Sequence, residues 1–331
     1  VTNNAVTQGA DTNADGIAVD ELALQGTGTF TLDDSDNEIR LVAAGVEGDA
    51  TANPVVDPVL TGAITIVNNG DLTVGSIGTQ HGIYAEGPVA LSTASGVLRV
   101  DEGIDAATPQ VDGPLTVAGT VDLTAGSGGV IELAADIDSD AKQTYTGDSK
   151  LISDVTLTAI NADIEFAGDM TSDAGTQRLT LITNNQVTQS GTLNVDELSL
   201  RGTGGFIFDQ AGNQIGVLSA GASEQRVNQL TVNNSAALTV GTTGLGLADE
   251  QSGIFATGNV SLTTDGAALR INDAIDVTSD TTSALALTTN NGGVIELAAD
   301  ITTVGDQAYN GNTRLIDIDG DSATANNVTL T

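Results

Sequence analysis

Cysteine and tryptophan are absent from this chain of 331 residues, and aromatic residues make up only 2% of it. Without cysteine, the chain forms no disulfides and has no thiol nucleophile or thiolate metal ligand. The compartment stays open, because an exported protein need not contain cysteine. With so few large rings, we expect a core built from Val, Ile, Leu and Ala in thin layers, whereas a globular enzyme usually contains more aromatic side chains.

Basic residues are also scarce. The chain has 9 Lys and Arg against 44 Asp and Glu, a formal charge of −35, and its only lysines are Lys142 and Lys150. A nucleic-acid partner is excluded because phosphate binding needs clustered Lys and Arg, and anionic lipid surfaces are disfavoured for the same reason. The acidic excess suits a soluble surface in salty or divalent-rich water, where self-repulsion is screened, and favours a halophilic or marine source.

Long hydrophobic runs are missing as well. No stretch of 18 apolar residues occurs, so we expect no membrane insertion. No signal peptide is visible, and the chain begins with Val1. A segment of a longer protein would have lost such a leader.

An internal repeat dominates what is present. Residues 128–137 (GGVIELAADI) recur without change at 292–301, a spacing of 164. Weaker matches surround this decapeptide: 19–28 with 195–204, 67–69 with 232–234, 72–75 with 238–241, and 98–101 with 269–272. The offsets drift between matches, so insertions fall between conserved runs, as loops do on a regular scaffold.

The repeat divides the chain into a first unit at 1–181 and a second, incomplete unit at 182–331. Residues 1–8 match 182–189, and 328–331 match 155–158. We therefore expect one continuous solenoid cut as a window from a longer array, and neither end shows the dedicated capping segment that a solenoid normally has.

Short alternating strings predict an all-β chain. Three to five residues alternate apolar and polar at 72–74, 89–93, 115–117, 121–124, 155–158, 179–181, 260–263 and 285–288. Gly, Asn, Asp and Ser, which form turns, stand between them. No helical period is sustained. We interpret 132–135 as strand and turn, and expect at most a helical turn near 245–252.

The pattern favours a parallel β-helix over a sandwich or barrel. The strands are very short, the outward residue is repeatedly Thr, Ser or Asp, and the inward residue is small and aliphatic. Like residues then stack between coils, and Asn or Thr ladders satisfy the turns. At roughly 20–25 residues per coil the chain would make about 14 coils, a rod of about 65 Å at roughly 4.8 Å per coil.

Several strings resemble the repeats of very large bacterial surface proteins of the filamentous-haemagglutinin type. They are residues 22–32, 143–147 with 307–311, 155–159 and 258–264. The resemblance covers nearly the whole chain. It implies a right-handed parallel β-helix, export by the two-partner route, and a role as adhesin or surface fibre. The export domain of that family, at the N-terminus of the parent protein, has no match here.

Two acidic insertions predict calcium sites. Asp11, Asn13 and Asp15 have the spacing of the first half of a calcium loop, with Gly16 at its sixth position. Asp317, Asp319 and Asp321 repeat the spacing, with Ser322 at the sixth position. The residues at position 12, Leu22 and Val328, are not carboxylates, so a full EF-hand is absent. The competing interpretation for these insertions, and for a third cluster at 33–38, is a solvated acidic turn. No other cofactor is expected.

For the remaining candidate functional residues, a structural role explains the sequence better than a chemical one. His81 is the only histidine, and the equivalent position of the second unit holds Ser252. We therefore interpret His81 as a loop residue. Arg99 and Arg270 occupy equivalent places, which could suit a polysaccharide lyase, but an outward Arg paired with an acid such as Asp101 explains them better. The three tyrosines, Tyr84, Tyr145 and Tyr309, are too few and too scattered for a sugar-stacking platform.

Together these observations predict a non-catalytic, stiff, acidic rod in an extracellular fibre or adhesin stalk at the cell surface. Its partners would be neighbouring repeat units of the same parent chain or filament. One alternative is an adhesin surface that binds a receptor or a host or cell-surface glycan. The other is a polysaccharide lyase or phage tailspike on the same fold, which near-duplication disfavours because an enzyme needs one unique site.

Overall fold

A computed structural model describes residues 2–8, 16–48, 59–107, 119–173, 177–278, 283–316 and 328–331. These residues form strands, turns and bends and contain no helix, which confirms the predicted all-β class. The chain divides into two compact units, Val1–Gly168 and Asp169–Thr331. The strands belong mainly to two long parallel sheets of 13 and 21 strands, an arrangement consistent with a β-solenoid.

The first unit contains nineteen of the described strands: β1 (Val6–Thr7), β2 (Ala18–Leu24), β3 (Phe30–Leu32), β4 (Glu38–Ala44), β5 (Ile64–Asn68), β6 (Leu72–Val74), β7 (Ser76–Ile77), β8 (Gln80–His81), β9 (Ile83–Tyr84), β10 (Val89–Thr93), β11 (Val97–Val100), β12 (Ile104–Ala106), β13 (Val121–Ala125), β14 (Val130–Leu133), β15 (Ile137–Ser139), β16 (Gln143–Thr146), β17 (Asp148–Leu151), β18 (Val155–Ala159) and β19 (Ile164–Phe166).

The second unit contains a further nineteen: β20 (Met170–Ser172), β21 (Arg178–Ile182), β22 (Gln186–Gln189), β23 (Leu193–Arg201), β24 (Gly205–Phe208), β25 (Gln214–Ala220), β26 (Gln229–Asn234), β27 (Leu238–Val240), β28 (Thr242–Thr243), β29 (Gln251–Ser252), β30 (Ile254–Ala256), β31 (Val260–Asp265), β32 (Leu269–Ile271), β33 (Ile275–Val277), β34 (Leu285–Asn290), β35 (Val294–Leu297), β36 (Ile301–Thr303), β37 (Gln307–Asn310) and β38 (Asn312–Leu315).

Strands of the first unit pair in three parallel ladders. The first ladder is β1–β3–β5–β10–β13–β16–β19, the second is β6–β11–β14–β17, and the third is β9–β12–β15–β18. The longer strand β4 pairs with both β6 and β9. Because the chain visits the three ladders in turn, Ile64 meets Val89 after 25 positions (89 − 64) and Val121 meets Gln143 after 22 (143 − 121).

The second unit repeats this scheme. Its three ladders are β22–β24–β26–β31–β34–β37, then β27–β32–β35–β38, and β30–β33–β36. Here β25 takes the place of β4 and pairs with both β27 and β30. The strings predicted at 72–74, 89–93, 121–124, 155–158, 179–181, 260–263 and 285–288 are confirmed as strands, and 115–117 lies outside the described residues.

Alternation along each strand builds the core. In β5, β10, β13 and β18 every second residue is buried, and the buried residues are mostly Val, Ile and Leu. Such side chains contribute about 1.5–3 kcal/mol each when fully buried. The decapeptide around 128–137 follows the same rule: β14 ends at Leu133, which confirms the strand predicted there, and a bend separates it from β15.

Two short antiparallel hairpins interrupt the parallel ladders. β7 pairs with β8 in the first unit and β28 with β29 in the second. Residues 78–79 join the first pair, whereas 244–250 join the second. The turn predicted near 245–252 is this longer connection, which is not helical.

The alignment of the two units needs one correction. The sequence comparison placed 67–69 opposite 232–234, but Asn68 and Asn234 are the equivalent residues, 166 positions apart (234 − 68). Both are buried, and each accepts the backbone N–H of an isoleucine, Ile39 or Ile215, through Oδ1 at 2.7 Å. The comparison missed this because adjacent asparagines make the two registers look alike.

Candidate functional site

The calcium sites predicted from sequence fall outside the described residues. This holds for Asp11, Asn13 and Asp15 and for Asp317, Asp319 and Asp321. Within the described ranges, no group of three or more His, Asp or Glu side chains has the geometry to hold a metal ion.

The third acidic cluster, at 33–38, forms a turn around a buried amide. Asp34 Oδ1 accepts the backbone N–H of Asp36 at 2.9 Å. Asn37 is fully buried, and its Nδ2 donates to the carbonyls of Leu32 (3.2 Å) and Val67 (3.0 Å). The prediction of a solvated turn therefore fails at Asn37, which satisfies backbone groups inside the fold.

A buried glutamine holds the β7–β8 hairpin to the scaffold. Gln80 is 1% exposed, and its Nε2 donates to the carbonyls of Leu24 (2.9 Å) and Gly45 (2.8 Å). Gly45 has a φ of +71°, and a Cβ there would lie 2.4 Å from the carbonyl oxygen of Tyr84. Only glycine fits this turn at the end of β4.

The second unit has the same amide clamp. Gln251 Nε2 donates to the carbonyls of Leu200 (3.0 Å) and Gly221 (2.7 Å), while its Oε1 accepts from Ser199 Oγ (2.8 Å) and Arg201 Nε (3.1 Å). Sequence reasoning missed both glutamines, because a polar residue in a glycine-rich stretch looks like an exposed turn. The signal was present: in both units the glutamine lies two residues before the shared Gly-Ile pair.

His81 lies exposed in the short hairpin strand β8, so it belongs to a strand although a loop was predicted. Its Nδ1 is 2.7 Å from Ser76 Oγ, which donates to Glu102 Oε1 at 2.8 Å. In a catalytic triad the histidine stands between hydroxyl and acid, whereas here the serine does. The second unit keeps the hydroxyl–acid contact without histidine, as Thr242 Oγ1 donates to Asp273 Oδ2 at 2.8 Å. The contact therefore fastens the hairpin and does not activate a nucleophile.

Arg99 belongs to a column of charged side chains on the second ladder. Its Nε is 2.6 Å from Asp101 Oδ1, which confirms the predicted pairing, and its NH1 is 2.8 Å from Glu132 Oε2 on the next strand. Glu132 in turn is the register neighbour of Lys150 on β17. The order along the ladder is Arg, Glu, Lys.

The same column recurs in the second unit as Arg270, Glu296 and Arg314 on β32, β35 and β38. Glu296 Oε2 is 2.8 Å from Arg270 NH2, and Glu296 Oε1 pairs with Arg314. Burial would raise the pKa of the Glu296 carboxyl, but hydrogen bonds and charges from Arg314 and Arg270 outweigh it, so that pKa is lowered. Both arginines pair with this acid, so the column links neighbouring strands.

An aromatic residue and an aspartate form a second duplicated pair on the third ladder. Tyr84 and Asp105 are register neighbours on β9 and β12, as Phe255 and Asp276 are on β30 and β33. Tyr84 OH donates to Glu47 Oε2 at 3.0 Å. Burial, followed by the bond and charge of Glu47, raises the pKa of this hydroxyl.

The surroundings of the two aspartates differ. Burial raises the pKa of the Asp105 carboxyl, the hydrogen bond from the Ala107 backbone N–H opposes this, and the charges of Asp138, Asp140 and Glu47 raise it further. In the second unit a hydrogen bond from Arg226 lowers the pKa of Asp276 against the effect of burial. The first unit therefore has an excess of negative charge at this place.

The other two tyrosines make structural contacts, as predicted, although only Tyr145 lies in the interior. Tyr145 is fully buried, stacks on Phe166 with ring centroids 5.3 Å apart, and donates its hydroxyl to Gln143 Oε1 at 2.8 Å. Tyr309 makes the equivalent bond to Gln307 Oε1 at 2.7 Å.

Several cavities open on the surface of the described residues. One of about 650 Å³ in the first unit includes Asp20, Arg40 and Asp71 in its lining, and one of about 610 Å³ in the second unit is lined mainly by Asn side chains. A smaller one of about 360 Å³ adjoins Glu47 and His81. In the described part of the chain, none contains a nucleophile held between a base and an acid.

No helix in the described ranges is long and apolar enough to span a membrane. No protein-family model, no curated protein and no solved structure matches this chain.

Proposed function

We propose that this chain is a structural segment of a secreted bacterial surface fibre or adhesin stalk, without catalytic activity. Its fold is a right-handed parallel β-helix of about 14 coils, and its partners are neighbouring repeat units of the same parent chain. The resemblance to filamentous-haemagglutinin-type repeats supplies the handedness and the cell-surface location.

One observation carries the proposal: the duplicated residues are those that hold the strands together. Gln80 and Gln251 bind equivalent carbonyls, Asn68 and Asn234 accept equivalent backbone N–H groups, and the charged columns recur strand for strand. His81, which could serve as a base, is not duplicated. A duplication that repeats the scaffold without a reactive group fits a spacer, because the useful property of a spacer is its length.

Charge and hydrogen bonding give the rod its mechanical character. Parallel ladders pair the backbone along the direction in which coils stack, so bending requires many hydrogen bonds to deform together. A net charge of −35 keeps neighbouring rods apart at low ionic strength. Both properties suit a stalk that carries another domain outward.

Electron microscopy of the intact parent protein, on and off the cell, tests the proposal. We expect thin continuous fibres, and deleting one repeat unit of seven or eight coils should shorten them by about 35 Å. The matched control replaces one unit by the other and should leave the length unchanged. Compact particles, or depolymerisation of an acidic polysaccharide by the purified protein, would overturn it in favour of a lyase or tailspike.

A further inference from the structure

The second unit contains a complete binding site for a guanidinium group. Arg226 NH2 donates to Asp276 Oδ2 at 2.7 Å, and NH1 donates to the backbone carbonyl of Asp276 at 3.0 Å. Its central carbon lies 5.6 Å from the centroid of the Phe255 ring. A carboxylate, a carbonyl and an aromatic face thus bind one planar cation, and the side chains of Arg226 and Asp276 are mostly buried.

The first unit has an equivalent pair of an aromatic residue and an aspartate, but no arginine at the position of Arg226. Tyr84 and Asp105 occupy the places of Phe255 and Asp276 and are register neighbours in the same way. Arg226 comes directly before a residue that forms a parallel bridge next to the third ladder. The residue in the equivalent position of the first unit is Leu60, which is buried and apolar.

Eight of the nine cations of the chain pair with acids outside the Tyr84–Asp105 pair. All nine Lys and Arg lie in the described ranges, and eight form ion pairs with other acids: Arg40 with Asp20, Arg99 with Asp101 and Glu132, Lys142 with Glu165, Arg178 and Arg201 with Asp249, Arg226 with Asp276, and Arg270 and Arg314 with Glu296. The ninth, Lys150, is the register neighbour of Glu132. The sequence at 49–58 and 108–118 contains no Lys or Arg.

Negative charge accumulates at the same place. Asp138 is the register neighbour of Asp105, whereas the second unit has Thr302 in that position. Glu47 accepts the Tyr84 hydroxyl and also lines the cavity of about 360 Å³. The strip therefore has more acid than its duplicate, and its Asp138 is exposed.

We propose that the strip formed by Tyr84, Asp105 and Asp138 is a docking site for an arginine side chain of a partner protein. The duplicate defines the occupant, because the same aromatic–aspartate pair binds a guanidinium within the second unit. A lysine ammonium lacks the planar fork with which a guanidinium donates to a carboxylate and a carbonyl while it stacks on a ring face, so it should bind this surface more weakly. This site does not depend on the fibre function.

The test is an NMR titration of the whole chain with the blocked tripeptide acetyl-Gly-Arg-Gly-amide, with acetyl-Gly-Lys-Gly-amide as the matched probe. We expect saturable shifts of the Ala106 and Ala107 amide signals with the arginine peptide and at least about tenfold weaker binding of the lysine peptide. Asp105→Asn should weaken arginine binding at least about tenfold, since charge-assisted hydrogen bonds are lost. Tyr84→Phe should retain binding and Tyr84→Ala should lose most of it.

A second variant keeps the test decisive. Arg226→Ala empties the site in the second unit, so the same titration should then show a second set of shifts around Asp276. Equal shifts with both peptides would mean that binding is only charge screening and would overturn the proposal, as would unchanged spectra around Asp276 in Arg226→Ala. Self-association that Arg40→Ala abolishes would assign the strip to a second copy of this chain and would likewise overturn a separate partner.

Discussion

Gln80 shows how much a single buried polar side chain contributes to this fold. It satisfies two carbonyls on separate strand ends, one at Leu24 and one at Gly45. We expect Gln80→Leu to lower the free energy of unfolding by about 1–3 kcal/mol, because the carbonyls stay buried without a donor. Urea unfolding measures this loss.

The duplicate and an exposed glutamine provide the controls. Gln251→Leu should cause a similar loss, since its amide binds the equivalent carbonyls. Gln214→Leu, on the exposed side of β25, should change stability by less than about 0.5 kcal/mol. Equal effects of all three substitutions would contradict a specific role for the buried amides.

Asp105 and Asp276 should respond oppositely to neutralisation. The pKa of Asp105 is raised in the fold, so its folded-state stabilisation is fully present below the unfolded pKa and is lost as pH rises through the folded pKa. Asp105→Asn should therefore raise the thermal midpoint near neutral pH, and the gain should vanish near pH about 3, where the acid is protonated in both states.

The pKa of Asp276 is lowered by Arg226, so its contribution is present above the unfolded pKa and is lost as pH falls through the folded pKa. Asp276→Asn should lower the thermal midpoint near neutral pH. Thermal unfolding between pH about 3 and about 7 measures both variants. Parallel pH profiles would show that the two carboxylates share one environment, contrary to the contacts described.

At the scale of the element, the charged columns tie successive strands of the second ladder. The Glu296 side chain is 4% exposed and lies between two arginines, whereas that of Glu132 is 21% exposed. We expect Glu296→Gln to cost about 1–3 kcal/mol, and Glu132→Gln to cost less, because a buried charge pair is screened least by solvent.

The stability effects of these two substitutions should depend differently on salt. Raising NaCl to about 1 M shortens the Debye length to about 3 Å, which should reduce the effect of Glu132→Gln more than that of Glu296→Gln. Thermal midpoints of both variants at low and high salt provide the measurement. A loss that is equal in size and in salt dependence at both positions would argue against burial as the cause of the difference.

Across the whole molecule, the charge of −35 sets the response to ions. Repulsion among like charges destabilises the compact folded state, and salt screens this repulsion. We expect the thermal midpoint to rise as NaCl increases, and CaCl₂ at matched ionic strength to give a further rise only if divalent ions bind specifically.

Substitutions in the predicted calcium segments locate such an effect. The combination Asp15→Asn with Asp321→Asn should remove a calcium-specific rise and leave the NaCl response unchanged. An unchanged calcium response in this variant would mean that the ion binds elsewhere on the acidic surface. No rise with calcium in the native chain would leave these segments as solvated turns.

The sequence by itself determined the class and the repetition. Alternation with period two and clusters of turn formers are local signals, so the strands at 89–93 and 260–263 could be located without a fold. The identical decapeptides at 128–137 and 292–301 showed duplication, and the scarcity of rings predicted an aliphatic core. The pairing of Arg99 with Asp101 was also within reach, since the two residues are close in sequence.

Only the tertiary structure decided which polar residues lie inside and which charges meet. Asn37 and Gln80 resemble turn residues in sequence, and they are buried because carbonyls on other strands need donors there. Arg226 reaches Asp276 from 50 positions earlier (276 − 226), a distance set by the lengths of intervening turns. Contacts between coils depend on the accumulated lengths of loops, and a local pattern of polarity carries no record of that sum.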